Sequence, residues 1–490
     1  MSRVEYKYIV ALVGVFSIFM ELIDTTIVNV AIPTLAREFD VPSASTIQWV
    51  ITGYLLSLAV FIPISGWAGD RFGTKRVFIF ALSVFTTSSL LCALSWNIEA
   101  LIFFRVLQGV GGGMLSPVAF SMVWRAFPPE ERSKAAGIMV VPAAVAPASG
   151  PVVGGALAEY ASWHWIFLVN LPIGIAALLI SVLYLREEKQ ADAGRFDPAG
   201  FLLGGAGLAA VVYSLSRAGE NGFGDGQCIG FAVAGAALLA AFVTVELRLA
   251  RPMLDVRILA NGLFRACNLA WVVTMFGGSS MIFLLTLELQ AGRGLTPIES
   301  GLTTFVMAIG VMLVAQPASR LYRIVGPRRL IGGGLTVCAA VTLALYWVDF
   351  GTNLWVIRAL MLARGLGFGF VLVPLQAATY AQVSPAQTGR ATALYNATSQ
   401  VASSLGVAIG ASYLTSRLTH YGAALNAPAA RANSLGAFQD AFLLMAILSF
   451  IGAGVALLIH DRDAAATMRA TSIEAMDAAP DAKVAGEPAG

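Results

Sequence analysis

The stretch GWAGDRFGTKRV at residues 66–77 recurs in altered form as SRLYRIVGPRRL at residues 319–330. Both copies end in a glycine that is followed, after one residue, by two basic side chains. A second pair lies downstream in the same order, RVLQGVGGGM at 105–114 and RGLGFGFVLV at 364–373. In each member of this second pair an arginine stands near the start of a glycine-rich apolar run. Two repeated motifs that occur in the same order indicate a chain built from two related halves.

The amino-acid composition is far more apolar than that of a soluble protein. Of its 490 residues 58% are hydrophobic and 12% are charged, with a mean hydropathy of +0.77, whereas soluble domains carry about 25% charged residues. The sequence contains fourteen apolar runs of the roughly 20 residues that a helix needs to cross the hydrocarbon core. They lack the alternation of a membrane β-barrel. We therefore predict an all-α polytopic membrane protein with fourteen transmembrane helices.

The repeat divides these spans into predicted units. The seventh and eighth spans stand between the two halves as an inserted pair. We predict an N-terminal six-helix bundle at 1–185, a two-helix insert with its linkers at 186–265, a C-terminal six-helix bundle at 266–460 and a disordered tail at 461–490.

The basic residues predict the orientation, since Lys and Arg accumulate in cytoplasmic segments. The two termini and the even-numbered loops hold 23 of the 31 basic residues, and the odd-numbered loops hold 6. Both termini are therefore predicted to be cytoplasmic, as an even number of spans requires.

The sequence lacks the residue patterns that several classes of function require. The four cysteines form no C-x-x-C pair, and the three histidines lie far apart, so neither a disulfide framework nor a metal site is indicated. There is no phosphate-binding glycine loop of the kind that ATP-driven proteins use, and no nucleophile beside a base. A net charge of +3 without a basic patch gives no reason to expect nucleic acid. We predict no enzyme activity and no cofactor.

Two carboxylates stand in the first apolar run, in FMELIDTTIVNVAIP at 19–33. Glu21 and Asp24 are three residues apart and share a helix face, with Asn29 further along. A charged carboxylate near the bilayer centre costs about 2.5–3.5 kcal/mol on insertion scales, so the pair must face a wet cavity or be protonated part of the time. Arg105, with Gln108 one turn on, cannot shed its proton and needs Asp24 or Glu21 as a partner. The alternative is that Glu21 and Arg105 lie near the ends of their spans and extend their charged groups to the membrane surfaces.

The loop motif at 66–77 is more ordered than membrane orientation alone requires. Gly66 and Gly73 permit a tight turn. We predict that Asp70 caps a helix or pairs with a basic residue of the same loop, tying two helices together in a contact that opens and closes. The candidate partners are Arg71, Lys75 and Arg76.

The remaining candidates are spread over several spans. The fifth span contains Gly150, Pro151 and Gly154 among other prolines and glycines, which predicts a kinked helix in close contact with a neighbour. Glu288 is a candidate to bind a cationic substrate, to help move protons, or to lie in the outer interface. Other candidate cavity groups are Asn29, Gln108, Asn396, Gln400, Tyr54 and Trp271, for which hydrogen bonding between helices or contact with lipid is the plainer alternative.

These motifs resemble those of the major facilitator superfamily, and more narrowly its fourteen-helix drug:proton antiporter group, the DHA2 group of EmrB and QacA type. The resemblance covers about residues 5–460. It rests on LIDTTIVNVAIP at 22–33, GWAGDRFGTKR at 66–76, RVLQGVGG at 105–112 and the fifth-helix antiporter motif. That motif falls on Gly137, Gly150, Pro151 and Gly154, and Ala146 stands where it has a further glycine.

The resemblance implies a fold of two six-helix bundles plus two extra helices, in the inner membrane of a bacterium. It implies export of small amphipathic compounds, cationic or lipophilic, in exchange for protons, with Asp24 as the first-helix acidic residue and Arg105 as the proton-coupling arginine. The partners implied are a small-molecule substrate, protons and the lipid bilayer. Exporters of this group sometimes work with a periplasmic adaptor, which the sequence does not indicate.

Three alternatives remain open from the sequence. One is a proton-coupled importer of the same fold, against which the fifth-helix motif argues. Another is an exporter dedicated to one endogenous metabolite, lipid or peptide. The third is a membrane sensor or scaffold that transports nothing, and it predicts no loss of function when Asp24 is neutralised.

Overall fold

A computed structural model describes residues 5–39, 44–189, 196–249, 252, 254–384, 386–422 and 432–468. Within these ranges the regular secondary structure consists of helices, with short 3₁₀ and π turns between or at the ends of some of them. The longer helices, in chain order, are α1 (Tyr6–Glu38), α2 (Ala44–Phe72), α3 (Thr74–Ala93), α4 (Ile98–Ala126), α5 (Arg132–Tyr160), α6 (His164–Leu168), α7 (Asn170–Tyr184), α8 (Pro198–Asn221), α9 (Gly226–Arg248), α10 (Gly262–Leu287), α11 (Pro297–Val325), α12 (Pro327–Ala344), α13 (Leu354–Thr379), α14 (Thr388–His420) and α15 (Leu435–Val455).

Helix length agrees with fourteen membrane spans, counting α6 and α7 as one. In the described part of the chain, twelve helical segments are long and apolar enough to cross a membrane. The other two, α5 and α14, are 29 and 33 residues long, which exceeds the roughly 20 residues required. Many helices extend beyond the apolar runs because their capping and charged residues continue the helix into the polar boundary.

The two copies of the loop motif fold alike. Gly73, between α2 and α3, has a φ of 101°, and Gly326, between α11 and α12, has a φ of 87°. A side chain is strained in this left-handed region, so glycine is needed at the turn. Each glycine stands where the repeated G-x-[KR]-R sequence begins, which supports the division into related halves.

The first half comprises α1–α7 and the second half comprises α10–α15. In the first half α2 packs on α4 and α1 on α5, and in the second half α11 packs on α13 and α10 on α14. The two halves meet chiefly where α5 contacts α11 and where α2 and α4 contact α14. Of the inserted pair, α8 lies against α2 and α14, whereas α9 packs mainly on α8 and is largely exposed.

The halves are tied together at the end of the molecule where the α2–α3 turn lies, which we call the basic end. There Arg132, at the start of α5, donates to the Tyr380 carbonyl that follows α13. Arg323, near the end of α11, donates from Nη2 to the Glu130 carbonyl at 2.7 Å. The basic end is therefore closed in this structure.

The prediction of a disordered tail at 461–490 is wrong for its first eight residues, 461–468. Asp461–Ala464 and Ala465–Met468 form short helical turns that pack on the basic end. The Asp461 carboxylate accepts from the Arg328 amide at 2.9 Å, and the Thr467 hydroxyl lies 2.5 Å from that of Tyr322. The turns stay folded because they cap the α11–α12 connection. The rest of the predicted tail lies outside the described residues.

Candidate functional site

The two groups that the sequence pairs across the first half meet in the structure. Arg105 of α4 donates from Nη1 to Asp24 Oδ2 of α1 at 2.6 Å. Their side chains are 1% and 0% exposed. The prediction that Arg105 needs a buried acidic partner is confirmed, and the alternative that it extends to the membrane surface is wrong.

Two side-chain amides also donate hydrogen bonds to Asp24. Its Oδ1 accepts from Gln108 Nε2 at 3.0 Å and from Asn170 Nδ2 at 2.9 Å. Asn170 is the first residue of α7, directly after the break in the sixth span at Val169. Each carboxylate oxygen thus has a donor, which is the arrangement that makes a buried charge tolerable.

The Arg105 guanidinium is likewise surrounded. Its Nε donates to the Val50 carbonyl of α2 at 3.1 Å, and its Nη1 also donates to Gln108 Oε1 at 2.8 Å. Its carbon lies 4.2 Å from the centre of the Tyr54 ring, within the range of a cation–π contact. Tyr54 and Gln108, predicted as cavity groups, are therefore parts of this ion-pair network.

Glu21 lies beside the network but is held differently. Its Oε2 accepts a short hydrogen bond from the Ser116 hydroxyl of α4. Glu21 is 8% exposed, whereas Asp24 is fully enclosed. The two carboxylates of one helix face thus differ, since Asp24 has a cationic partner and Glu21 has a neutral one.

The predicted partners of Asp70 are wrong. Asp70 accepts from Arg125 Nη2, in the last turn of α4, at 2.6 Å, and both side chains are buried. The basic residues of its own loop have other surroundings, since Lys75 contacts Val182, Arg76 contacts Glu187 and Arg71 is exposed.

The prediction that Gly66 permits a turn is also wrong, because Gly66 lies within α2. Next to the Asp70–Arg125 pair it approaches Gly389 of α14 so closely that a Cβ on Gly66 would lie 2.6 Å from the Gly389 carbonyl oxygen.

Two basic residues of the loop contact the last turn of α7 and the segment that follows it. Lys75 donates from Nζ to the Val182 carbonyl at 2.9 Å, and Arg76 Nε lies 3.5 Å from Glu187 Oε2. Gly73 leaves room for the same glutamate, whose Oε1 would lie 1.9 Å from a Cβ at that position. Arg71 is exposed.

The glycines of the fifth-helix motif allow α5 to pack against two partners. A Cβ on Gly150 would lie 2.0 Å from Thr26 Oγ1, and one on Gly154 would lie 2.9 Å from the Ile27 carbonyl oxygen. Both contacts are with α1, one turn from Asp24. Gly137 faces α11, where a Cβ would lie 3.3 Å from the Ala315 carbonyl oxygen. The Pro151 side chain lies outside the described residues.

We expect Gly150→Ala to lower the stability of the protein and to displace α1. The added methyl group overlaps Thr26, and overpacking of this kind costs about 1–3 kcal/mol. Thermal unfolding in detergent measures the loss. Gly230→Ala is the matched control, since a Cβ on Gly230 of α9 meets none of the described residues within 4 Å. Equal midpoints for the two variants would contradict the close α1–α5 contact.

Glu288 is neither free in a cavity nor exposed at an interface. It is 1% exposed and lies in a single π turn, Glu288–Gly292, after α10. Its Oε1 accepts from Arg293 Nε at 3.2 Å, and Arg293 also donates to the carbonyls of Thr352 and Asp349 at 2.7 and 2.6 Å. This ion pair ties the α10–α11 connection to the α12–α13 connection.

The other predicted cavity groups have various surroundings. Asn396 donates to the Thr392 carbonyl of its own helix at 2.8 Å, and Gln400 is half-buried. Trp271 of α10 is buried and stacks on Tyr395 of α14 with ring centres 5.3 Å apart. Asn29 lies on α1, but its side chain is outside the described residues.

The sequence analysis missed several groups that the structure brings to the site. They are Asn170, Ser116 and Arg125. A lone asparagine inside the sixth apolar run was a usable signal for Asn170, because an amide there needs a polar partner. Ser116 and Arg125 had no such signal, since a serine in a helix can bond its own backbone and an arginine at a span's end is ordinary.

Comparison with known proteins agrees with the motifs. The family model of the Major Facilitator Superfamily matches residues 14–407 and, in a second match, 267–478. The chain is 34% identical over 412 residues to the "Multidrug resistance protein B homolog" of Mycobacterium tuberculosis, which covers 83% of this chain and 76% of the relative. It is 31% identical over 433 residues to the "Putative multidrug resistance protein MdtD" of Serratia proteamaculans, covering 88% of this chain and 89% of the relative.

A solved structure supports the fold. The human organic anion transporter MFSD10 aligns over 90% of this chain and 99% of its own with a TM-score of 0.62, at 16% sequence identity. From the repeated glycine turns, the buried ion pair between the first and fourth spans and these similarities, we conclude that the chain belongs to the major facilitator superfamily and to its family of multidrug transporters.

Proposed function

We propose that the protein is a proton-driven antiporter that exports small amphipathic, cationic or lipophilic compounds across a bacterial inner membrane, with both termini in the cytoplasm. Relatives named for multidrug resistance support export of drugs. The positive-inside arrangement of the basic residues supports the orientation.

The observation that carries the proposal is the pair of unlike carboxylates on one face of α1. Asp24 is enclosed with Arg105, whereas Glu21 is bonded to a neutral hydroxyl and retains some exposure. A group that exchanges protons must be reached by them, and it must lack a fixed cation that would keep it ionised. Among the described residues no cation is paired with Glu21, which keeps 8% of its surface exposed, whereas Asp24 is paired with Arg105 and is 0% exposed.

Glu21 is therefore the group that first takes or gives the proton in our proposal, and Asp24 with Arg105 is the coupling element. A bound cation is attracted by ionised Glu21, and a proton on Glu21 removes that attraction. Linkage then requires that proton binding weakens cation binding by the same factor as cation binding weakens proton binding. Because Glu21 and Asp24 share a helix face, any shift of α1 that follows protonation also acts on the Asp24–Arg105 pair.

The Asp70–Arg125 pair is proposed as the latch of the basic end. It lies where α2 and α4 of the first half meet α14 of the second, beside the Gly66–Gly389 approach. Access from the cytoplasm requires these helices to part. The buried ion pair holds the arginine and the α2–α3 turn in place for the close contact with α14.

We expect Asp70→Asn to open the basic end more often. The change removes a charge-assisted hydrogen bond, which contributes about 1.5–3 kcal/mol, so amide exchange at the start of α14 should quicken by at least about tenfold. Hydrogen–deuterium exchange of Thr388–Ala393 measures this. Arg71→Gln in the same loop is the control, because Arg71 is exposed. Unchanged exchange in Asp70→Asn would remove the latch from the mechanism.

Transport in everted membrane vesicles tests the proposed function. Vesicles with an acidic interior, energised by respiration, should accumulate a lipophilic cation such as ethidium when they contain the protein. Accumulation should stop when a proton ionophore collapses the gradient. Accumulation that persists after the collapse, or that runs only in the opposite direction, would contradict proton-driven export.

A further inference from the structure

Five aromatic rings form a continuous column near the basic end. Phe120 and Trp124 have ring centres 6.3 Å apart with planes at 11°, and Trp124 lies 5.2 Å from Tyr380 at 27°. Tyr380 lies 5.9 Å from Tyr395 with the two planes tilted by 57°, and Tyr395 stacks on Trp271 at 5.3 Å and 10°. All five are at most 9% exposed. We call this group the aromatic column.

The column crosses the boundary between the two halves at one ring contact. Phe120 and Trp124 lie on α4, whereas Tyr380, Tyr395 and Trp271 belong to the second half. When the halves part at the basic end, the Trp124–Tyr380 contact must separate. Each half then presents a flat aromatic face of about the width of a ring.

Three polar atoms of the column have no hydrogen-bond partner among the described residues. They are Trp124 Nε1, Trp271 Nε1 and the Tyr395 hydroxyl, and all are buried. Buried indole and phenol groups nearly always find partners, and packing alone would be served by Phe or Leu. Such groups point to an occupant that reaches them in another conformation.

The column is connected to Glu21 along one side of α4. Ser116, which donates to Glu21, precedes Phe120 by four residues and Trp124 by eight, so the three lie roughly above one another. At 1.5 Å per residue, Ser116 and Trp124 are about 12 Å apart along the helix axis. This is the length of a small polycyclic cation, with an acidic group at one end and stacked rings at the other.

We propose that, when the basic end opens, the aromatic column binds the planar aromatic part of a cationic substrate whose charge is drawn to Glu21. The substrate's ring takes the place of the Trp124–Tyr380 contact. This deepens the proposed function, since it names planar aromatic cations as the substrate class and rests on export by way of Glu21. The Trp124–Tyr380 contact, with ring planes at 27°, favours such a ligand, because a flat aromatic ring can stack on each of these two faces once they part.

Two cations of different shape test the column. Ethidium is planar and aromatic, and tetrabutylammonium is aliphatic with the same charge. We expect Trp124→Leu to weaken ethidium binding to the purified protein, and to raise its KM for transport, by about tenfold. Tetrabutylammonium transport should stay within about twofold, since it gains no stacking. Trp124→Phe should retain most ethidium binding, and Trp96→Leu, at a side chain 75% exposed, should behave as wild type.

The outcomes separate the column from the proposed function. Equal losses for both cations in a Trp124→Leu protein that unfolds at the wild-type temperature would overturn the column, as would wild-type protein that binds no ethidium. Selective loss of ethidium binding without proton-driven transport in wild type would support the column and refute the proposed function. If Trp124→Leu does not fold, Trp271→Leu at the other end of the column is compared in the same way, with the same two outcomes.

Discussion

Replacing Arg105 by methionine is expected to reduce the free energy of unfolding by about 3–5 kcal/mol, because it leaves the Asp24 charge buried without its cation. The side chain of Asp24 is 0% exposed, so water cannot replace the guanidinium. Gln108 and Asn170 still donate to Asp24, but neutral donors do not balance a charge in a low-dielectric interior.

The double variant Asp24→Asn with Arg105→Met removes both charges and should recover most of the loss, since replacing a whole buried pair is often nearly neutral. Thermal unfolding in detergent and retention of monodisperse protein give the comparison. Arg71→Met, at an exposed arginine, controls for removal of a positive charge. A double variant as unstable as Arg105→Met would show that the arginine stabilises through packing and not through its ion pair.

Glu21→Gln is expected to reduce proton-driven export by about 100-fold, the scale on which a positioned proton-transfer group acts. Its stability should change little, because the glutamine oxygen can still accept from Ser116. Uptake of ethidium into energised everted vesicles, with the amount of folded protein matched, measures the effect. The expected pattern is thus opposite to that of Arg105→Met, where stability is lost first.

Glu288→Gln is the matched control for this second prediction. Glu288 is also a buried carboxylate of a membrane-spanning segment, but it is paired with Arg293. Its neutralisation should affect the connections between α10–α11 and α12–α13 and spare the coupling. Equal losses of export in the two variants would mean that neutralising any buried carboxylate disables the protein, and Glu21 would lose its special role.

The parts predicted from the sequence are those for which the membrane leaves few choices. An arginine and two carboxylates in apolar runs need partners, so an ion pair of Arg105 with Asp24 or Glu21 followed from the cost of burying a charge, and the structure shows that the partner is Asp24. The turn at Gly73 followed from the loop motif, and the repeat places Gly326 at the matching position. In both cases one physical requirement excludes most other arrangements.

The parts that could not be predicted depend on which helices face each other. The partner of Asp70 is Arg125, 55 residues along the chain, and three nearer basic residues were equally good candidates by charge. The aromatic column presents the same difficulty, because a tryptophan on an apolar helix fits lipid, a core or a binding surface equally well. Sequence periodicity locates a face but does not identify the neighbour that covers it.

Substrate-induced proton release from the purified protein is the most direct test of the central claim, that a proton and a cationic substrate exclude each other at the α1 carboxylates. In weakly buffered detergent solution, wild-type protein should release protons on addition of ethidium, and Glu21→Gln should release none. Asp24→Asn shows whether the enclosed pair contributes to the signal. A release of the same size in wild type, Glu21→Gln and Asp24→Asn would contradict the account.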